Sequence, residues 1–193
     1  MSDEIIRAFV AIEITDEVRA MLARVQDRLR RVGVRVSWVR PENIHLTLVF
    51  LGDVSAALVP DLKRALDRVA ESVCAFDMAV EGVGSFGSPR SPRVIWAGVA
   101  EPTRSLAALQ GGLAEAMRAL EIPLESRPFH PHLTLGRVRS SRGAGALTSA
   151  LPSASVTVRG SVRVDRVHLF ESRLHSEGAR YTILHSATLK GEP

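Results

Sequence analysis

The chain is 193 residues long, 46% hydrophobic and 24% charged, with a formal net charge of +4. That size and balance fit a globular protein with one substantial core, or two small lobes sharing a cleft, and no apolar run approaches the roughly 20 residues needed to span a bilayer. Cys74 is the only cysteine, which excludes an intrachain disulfide and a cysteine-built zinc site and fits a reducing, cytoplasmic setting; the acidic start, Met1 to Glu4, is unlike a secretory signal.

In chain order, Ile5 to Ile14 is apolar and β-branched and reads as a buried strand. Thr15-Asp16 supplies a helix N-cap, and Val18, Met21, Leu22, Val25 and Leu29 follow at helical spacing before Gly33. Val34 to Val39 is a short strand, Pro41-Glu42-Asn43 a turn, and Ile44 to Leu51 a strand closed by Gly52-Asp53. Ser55 is expected to cap a second helix through about Val73, with Leu58, Leu62, Leu66 and Val69 on its apolar side. Ala75 to Val83 is strand-like, Gly84 to Pro92 reads as a Gly/Ser/Pro loop, and Val94 to Val99 is another strand. A third helix is expected from about Thr103 to Leu120, then an extended segment, Glu121 to Pro131, with three prolines. His132 to Val138 is a strand, Ser140 to Gly145 a polar loop, and a short helical stretch follows to Leu151. Ser155 to Val158, Arg163 to Glu171 and Tyr181 to Leu189 are the expected terminal strands.

Polar and apolar residues alternate along several of these strands, which favours antiparallel sheets over a buried parallel one. The expectation is a single α+β domain over residues 1–193. It would have two pseudo-symmetric lobes, each an antiparallel sheet with flanking helices around a central cleft.

His-Leu-Thr-Leu occurs twice, at His45 to Leu48 and at His132 to Leu135, 87 positions apart. Arg40-Pro41 aligns with Arg127-Pro128, so six of nine positions are identical. Side chains at i and i+2 of a strand share a face, so His45 joins Thr47, and His132 joins Thr134. Cleaving a phosphodiester without a metal requires a base for the nucleophile, an acid for the leaving oxygen, and donors to the phosphate oxygens. Histidine suits both proton roles because its ordinary pKa lies near neutrality. In an in-line displacement the attacking and leaving oxygens lie on opposite sides of phosphorus, which two histidines on opposite walls would match. Thr47 and Thr134 offer hydroxyl donors, and Arg137 a charge-assisted contact. Which histidine is acid and which is base is open, because the two halves are nearly symmetric.

The paired motifs resemble those of the two-histidine (2H) phosphoesterase superfamily. The wider sequence is similar to the RNA 2′,3′-cyclic phosphodiesterases, also called 2′-5′ RNA ligases. The similarity runs through Phe9-Val10-Ala11-Ile12, Pro41 to Gly52, Pro92 to Val99, His132 to Arg137, and Leu169-Phe170-Glu171-Ser172 with Tyr181. The resemblance implies a bilobal α+β fold and hydrolysis of RNA 2′,3′-cyclic phosphate to a 2′-phosphomonoester, with no cofactor or metal. It implies that His45 protonates the leaving 3′ oxygen and His132 activates water. Thr47, Thr134 and Arg137 would bind the phosphate, and Phe50 would line the nucleobase pocket. Phe50 and Arg137 occupy aligned positions of the two copies, an asymmetry that would seat the nucleotide in one orientation.

Other features point less far. Nearly all the basic excess is arginine, since Lys63 and Lys190 are the only lysines. This suits an RNA or nucleotide partner, although a coding bias toward arginine would give the same balance. His130 and His132 lack the neighbours a metal site needs, so His130 is expected to be structural or peripheral. His168, His175 and His185 have no repeated context. Gly82 to Gly87 fits G-x-G-x-x-G, but Ser88-Pro89-Arg90-Ser91-Pro92 cannot open the helix that a dinucleotide site requires. Competing readings are a 2′-5′ RNA ligase, an enzyme for another 2′-linked or small cyclic phosphate, and an RNA-binding module without turnover. The last would not need two proton-transfer groups. A monomer without membrane attachment is expected.

Overall fold

The computed structural model describes residues 4–101, 104–140, 142–176 and 178–191. Met1 to Asp3 and Thr103, the expected start of the third helix, lie outside these.

The first half runs β1 (Ile5–Glu13), α1 (Asp16–Arg30), β2 (Val36–Trp38), a 3₁₀ turn (Pro41–Asn43), β3 (His45–Ser55), a second 3₁₀ turn (Ala56–Leu58), α2 (Val59–Ala70) and β4 (Phe76–Ser88). The second runs β5 (Ser91–Ala100), α3 (Ser105–Ala119), β6 (His132–Val138), α4 (Ala144–Ser155), β7 (Arg159–Val164), β8 (Arg166–His175) and β9 (Gly178–Thr188). Displaced by the spacing of the two motifs, β1 falls on residues 92–100, within β5, and β3 starts where β6 starts. The helices overlap in the same way, α1 with α3 and α2 with α4.

Among the described residues the strands form one antiparallel sheet in the order β7-β4-β5-β6-β3-β1-β8-β9, with β2 also on β6. The middle of that order is the contact of the two motif strands, and it consists of one pair, Leu46 opposite Leu133. The second edge of β6 is then taken over by β2, with Trp38 opposite Gly136. Gly136 permits this approach: a Cβ there would come within 2.7 Å of Val36 and 2.9 Å of Trp38. So the motif strands touch once and then part. The two halves expected as lobes share one hydrogen-bonded sheet.

One continuous apolar core lies between the helices and one face of the sheet. Leu46, Leu133 and Leu135 are fully buried in it, as are Ala8, Val10 and Leu22. The opposite face of β1 carries Phe9 and Ala11, which pack with Phe170 and Tyr181 in a small separate cluster. Helix α1 forms as expected: the Thr15 hydroxyl accepts from Val18 N–H at 3.4 Å. Acidic Asp16 and Glu17 stand in its first turn, basic Arg28 and Arg30 in its last, which complements the helix dipole.

Four expectations need correction. Gly52-Asp53 does not end its strand, because Gly52 adopts φ +71° at a bulge and β3 continues to Ser55. Ser55 caps the 3₁₀ turn, not α2, which starts later and ends at Ala70. Gly84 to Pro92 is no loop but the end of the long β4–β5 hairpin. Its glycines answer close approaches: a Cβ on Gly84 would overlap the Trp96 ring, and one on Gly87 would meet the Ser91 carbonyl. Finally, Ser155 to Val158 is not a strand. Helix α4 runs through Pro152 to Ser155, burying Ala144, Leu147, Leu151 and Ala154, and the Ser155 hydroxyl accepts from Val83 N–H at 2.7 Å.

One buried polar side chain ties the site-bearing strands to this core. Gln26 of α1 is fully buried and donates to the Leu135 carbonyl of β6 at 2.9 Å and the Val39 carbonyl at 2.8 Å. An apolar replacement of similar size strips both carbonyls of that donor, and a buried lost partner costs about 1–3 kcal/mol. We expect Gln26→Leu to lower unfolding free energy by about 2 kcal/mol in urea titration. A loss within experimental error would show that Gln26 does not hold β6 in place.

Candidate active site

Antiparallel pairing through Leu46 and Leu133 fixes what surrounds it. One residue to either side, His45 stands across from Thr134, and Thr47 across from His132. All four side chains lie on the face opposite the two buried leucines.

The histidines are held by the same device. His45 Nδ1–H donates to the Asn43 carbonyl at 2.8 Å, and His132 Nδ1–H donates to the His130 carbonyl at 2.7 Å. Each acceptor lies two residues upstream, so each ring is left with Nε2 for chemistry. At His45 that nitrogen accepts from the Thr47 hydroxyl at 3.0 Å.

Plain alternation would put Phe50 and Arg137 on the wrong face, an odd number of residues from His45 and His132. A bulge in each strand corrects this. In β3 the pairing with β1 passes from Thr47 opposite Ala11 to Val49 opposite Val10, and Phe50 then pairs with Phe9. In β6 it passes from Thr134 opposite Trp96 to Gly136 opposite Ile95, and Arg137 follows opposite Val94. Burial agrees: Leu48 and Val49 are both buried, as are Leu135 and Gly136, while Phe50 and Arg137 are exposed.

His45, Thr47, Phe50, Thr134 and Arg137 therefore line one cavity of about 570 Å³, with Phe9, Trp38, Arg139 and Tyr181 also in its wall. His132 is not in that wall. It sits beyond Thr134, with its ring edge-on to Phe86 at 4.8 Å between centroids. His130 contributes its main-chain carbonyl. His168 and His185 are occupied elsewhere, with Ser186 at 2.8 Å and Asp67 at 2.7 Å respectively. Among the described residues no group of His, Cys, Asp or Glu is arranged to hold a metal ion. No helix there is long and apolar enough to cross a membrane.

The neighbours of His45 were not legible in its motif. Its ring stacks on Phe9 at 4.8 Å and meets the edge of Tyr181 at 5.3 Å, with Phe170 behind Phe9. These come from β1, β8 and β9, far apart in sequence, and no periodicity signals their meeting. Arg7 is a second omission: its guanidinium lies 4.9 Å over the Phe50 ring and 3.6 Å from Asp53. Arg137 forms no ion pair among the described residues; its charge opposes the rise that burial imposes on the Tyr181 hydroxyl pKa. A cation thus projects into the cavity without a carboxylate partner, as an anion site requires.

Burial in the aromatic box lowers the His45 pKa from its ordinary 6.5 to about 4, against the opposing effect of the Asn43 carbonyl. The unfolded chain then binds more protons than the folded one between those values, so stability should fall as pH drops through that window. At roughly 1.4 kcal/mol per unit the loss is at most about 3 kcal/mol. Urea unfolding at pH 7 and pH 4, with wild type and His45→Gln compared, measures it. Equal pH dependence in both would show that His45 is not held neutral.

The family model described as "LigT like Phosphoesterase" matches residues 12–96 and 98–181, so each matched stretch contains one His-Leu-Thr-Leu strand. A Methanothermobacter thermautotrophicus protein named RNA 2′,3′-cyclic phosphodiesterase is 33% identical over 92% of this chain and 95% of its own. One of the same name from Aquifex aeolicus is 29% identical over 97% and 100%. Among solved structures, TT0787 of Thermus thermophilus superposes with a TM-score of 0.78 at 28% identity, covering 97% of this chain and 100% of that one. E. coli LigT complexed with 3′-AMP gives 0.72 at 27%, covering 96% and 99%. With its matched halves, its α+β antiparallel fold and its paired histidine strands, the chain belongs to the LigT-like phosphoesterase family of the 2H superfamily.

Proposed function

We propose that this protein hydrolyses RNA 2′,3′-cyclic phosphate ends to 2′-phosphomonoesters, using His45 and His132 as its proton-transfer groups and no metal. The observation that carries this reading is the matched mounting of the two imidazoles. Each has Nδ1 on a main-chain carbonyl two residues back and each lies across the seam from the other motif's threonine. Relatives of full length named for this activity support it.

In the proposed reaction the cyclic phosphate sits over the seam. Thr47, Thr134 and Arg137 donate to its non-bridging oxygens. His132 Nε2 takes a proton from water as the water oxygen bonds to phosphorus. The bond from phosphorus to the 3′ oxygen breaks, and His45 Nε2 gives that oxygen a proton. The product carries a 2′-phosphate and a free 3′-hydroxyl. Thr47 must turn its hydroxyl from His45 to the phosphate, which frees Nε2 at the moment of binding. Phe50, half-exposed beside Arg7, gives the base an apolar surface on one side while Arg137 supplies charge on the other. That difference orients the ribose. In this reading each half of the sheet acts as a lobe supplying one motif, in a monomer with an RNA or nucleotide substrate, working in the cytoplasm.

Burial keeps free His45 neutral at pH 7, so its role as acid depends on the bound phosphodiester, whose negative charge favours the imidazolium. NMR titration of the His45 ring should give a midpoint of about 4 in the free protein and a higher one with a 2′-phosphorylated nucleotide bound. An unchanged midpoint would exchange the roles of the two histidines.

Turnover tests the reading as a whole. An oligoribonucleotide ending in a 2′,3′-cyclic phosphate should be opened in the presence of EDTA to a 2′-phosphate, resistant to a 3′-specific phosphomonoesterase. His45→Ala and His132→Ala should each lose about 10²–10⁴-fold in kcat while remaining folded. Near-normal rates in either variant, or a 3′-phosphate product, would overturn the mechanism.

A further inference from the structure

A second depression, of about 610 Å³, adjoins the active cavity on the same side of the molecule. It is lined by the N-terminal end of β1, Asp53 of β3 and residues 171–174 of β8. Arg7, Ser172 and Leu174 line both spaces, so the two form one groove with these side chains at the crossing. The mechanism proposed above makes no use of the outer part.

Its chemistry is unlike that of the active cavity. Glu4, Asp53 and Glu171 bring three carboxylates against the guanidinium groups of Arg7 and Arg173. Arg7 lies 3.6 Å from Asp53, and Arg173 Nε donates to Glu171 at 2.7 Å. A phosphate would find no net positive field there. A nucleobase would find what it needs. Ile5 is 61% exposed and Leu174 76% exposed, an unusual pair of bare aliphatic side chains at one groove. Guanidinium planes stack on base faces, and carboxylates accept from exocyclic amino groups.

The geometry points to a second nucleotide subsite: the depression between Ile5, Arg173 and Leu174 holds the base on the 5′ side of the nucleotide that carries the cyclic phosphate. This rests on the function proposed above and names the substrate class more closely, as an RNA end of at least two nucleotides. The direction follows from the connectivity of the ligand. With the terminal base on Phe50 and the cyclic phosphate over the seam, the chain leaves through the terminal 5′ oxygen. Arg7, which lies over Phe50 and borders both spaces, marks the place where the chain would cross from one to the other.

Binding of products isolates this subsite from catalysis. Calorimetry should give a tighter Kd for the diadenosine dinucleotide ending in a 2′-phosphate than for adenosine 2′-phosphate, by about tenfold or more, from one stacked base. The double variant Ile5→Asp, Arg173→Ala changes two exposed side chains outside the active cavity. It should abolish most of that difference while the mononucleotide Kd and the circular dichroism spectrum stay as in wild type. Equal affinities for the two ligands in wild type, or a difference that survives in the double variant, would overturn the subsite. Tighter dinucleotide binding lost in the variant, by a protein that leaves cyclic ends intact, would uphold the subsite and reject the hydrolase reading.

Discussion

The architecture of the site depends on the contact between Leu46 and Leu133. Both leucines are fully buried, and theirs is the pair through which β3 and β6 meet. Because strand side chains alternate, placing these leucines in the core places a histidine and a threonine from each strand on the other face. A slip of one residue would drive His45 or His132 into the apolar core and expose a leucine, so burial energy and the register of the two motifs are the same constraint. The strands then separate, β2 occupies the vacated edge of β6, and a cavity opens where a longer ladder would have closed it.

How much of this the sequence reveals can be seen residue by residue. The duplicated His-Leu-Thr-Leu is readable because alternation is a local property, and the helices α1 and α2 because their apolar spacing is. Arg137 is a candidate for its charge close to His132 and Phe50 through the resemblance, while alternation alone would turn both away from the site. Their placement needs the bulges after Thr47 and Thr134, which exist only in the pairing with neighbouring strands. Gly84 and Gly87 mislead for a related reason: in composition they read as a turn, yet they make room for Trp96 and for the opposite strand. Helix α4 is read only as far as Leu151, because it contains no charged residue and Pro152 hides its last turn. The aromatic box joins three strands; Phe9, Phe170 and Tyr181 all stand in segments that carry the resemblance, but no spacing in the sequence places them together.

Two identical tetrapeptides have been given unlike surroundings. His45 is enclosed by Phe9 and Tyr181, and His132 meets the edge of Phe86. The enclosure makes the charged form of His45 costly in the free protein. The motif therefore supplies the pair of imidazoles, and the rest of the fold distinguishes them. Different environments around chemically equal groups are a common route to separate acid and base duties.

The acceptors behind the imidazoles are main-chain carbonyls, of Asn43 and His130. A carboxylate side chain often takes this place behind a metal-binding histidine, and a single codon change can remove it. Here the supporting oxygen belongs to the peptide bond itself, and it survives any replacement of residue 43 or 130 that leaves the strand start in place. Sequence drift at those two positions is thus decoupled from the tautomer of the ring. This chain can therefore change at residues 43 and 130 without losing the acceptor, provided the backbone path into each strand is kept.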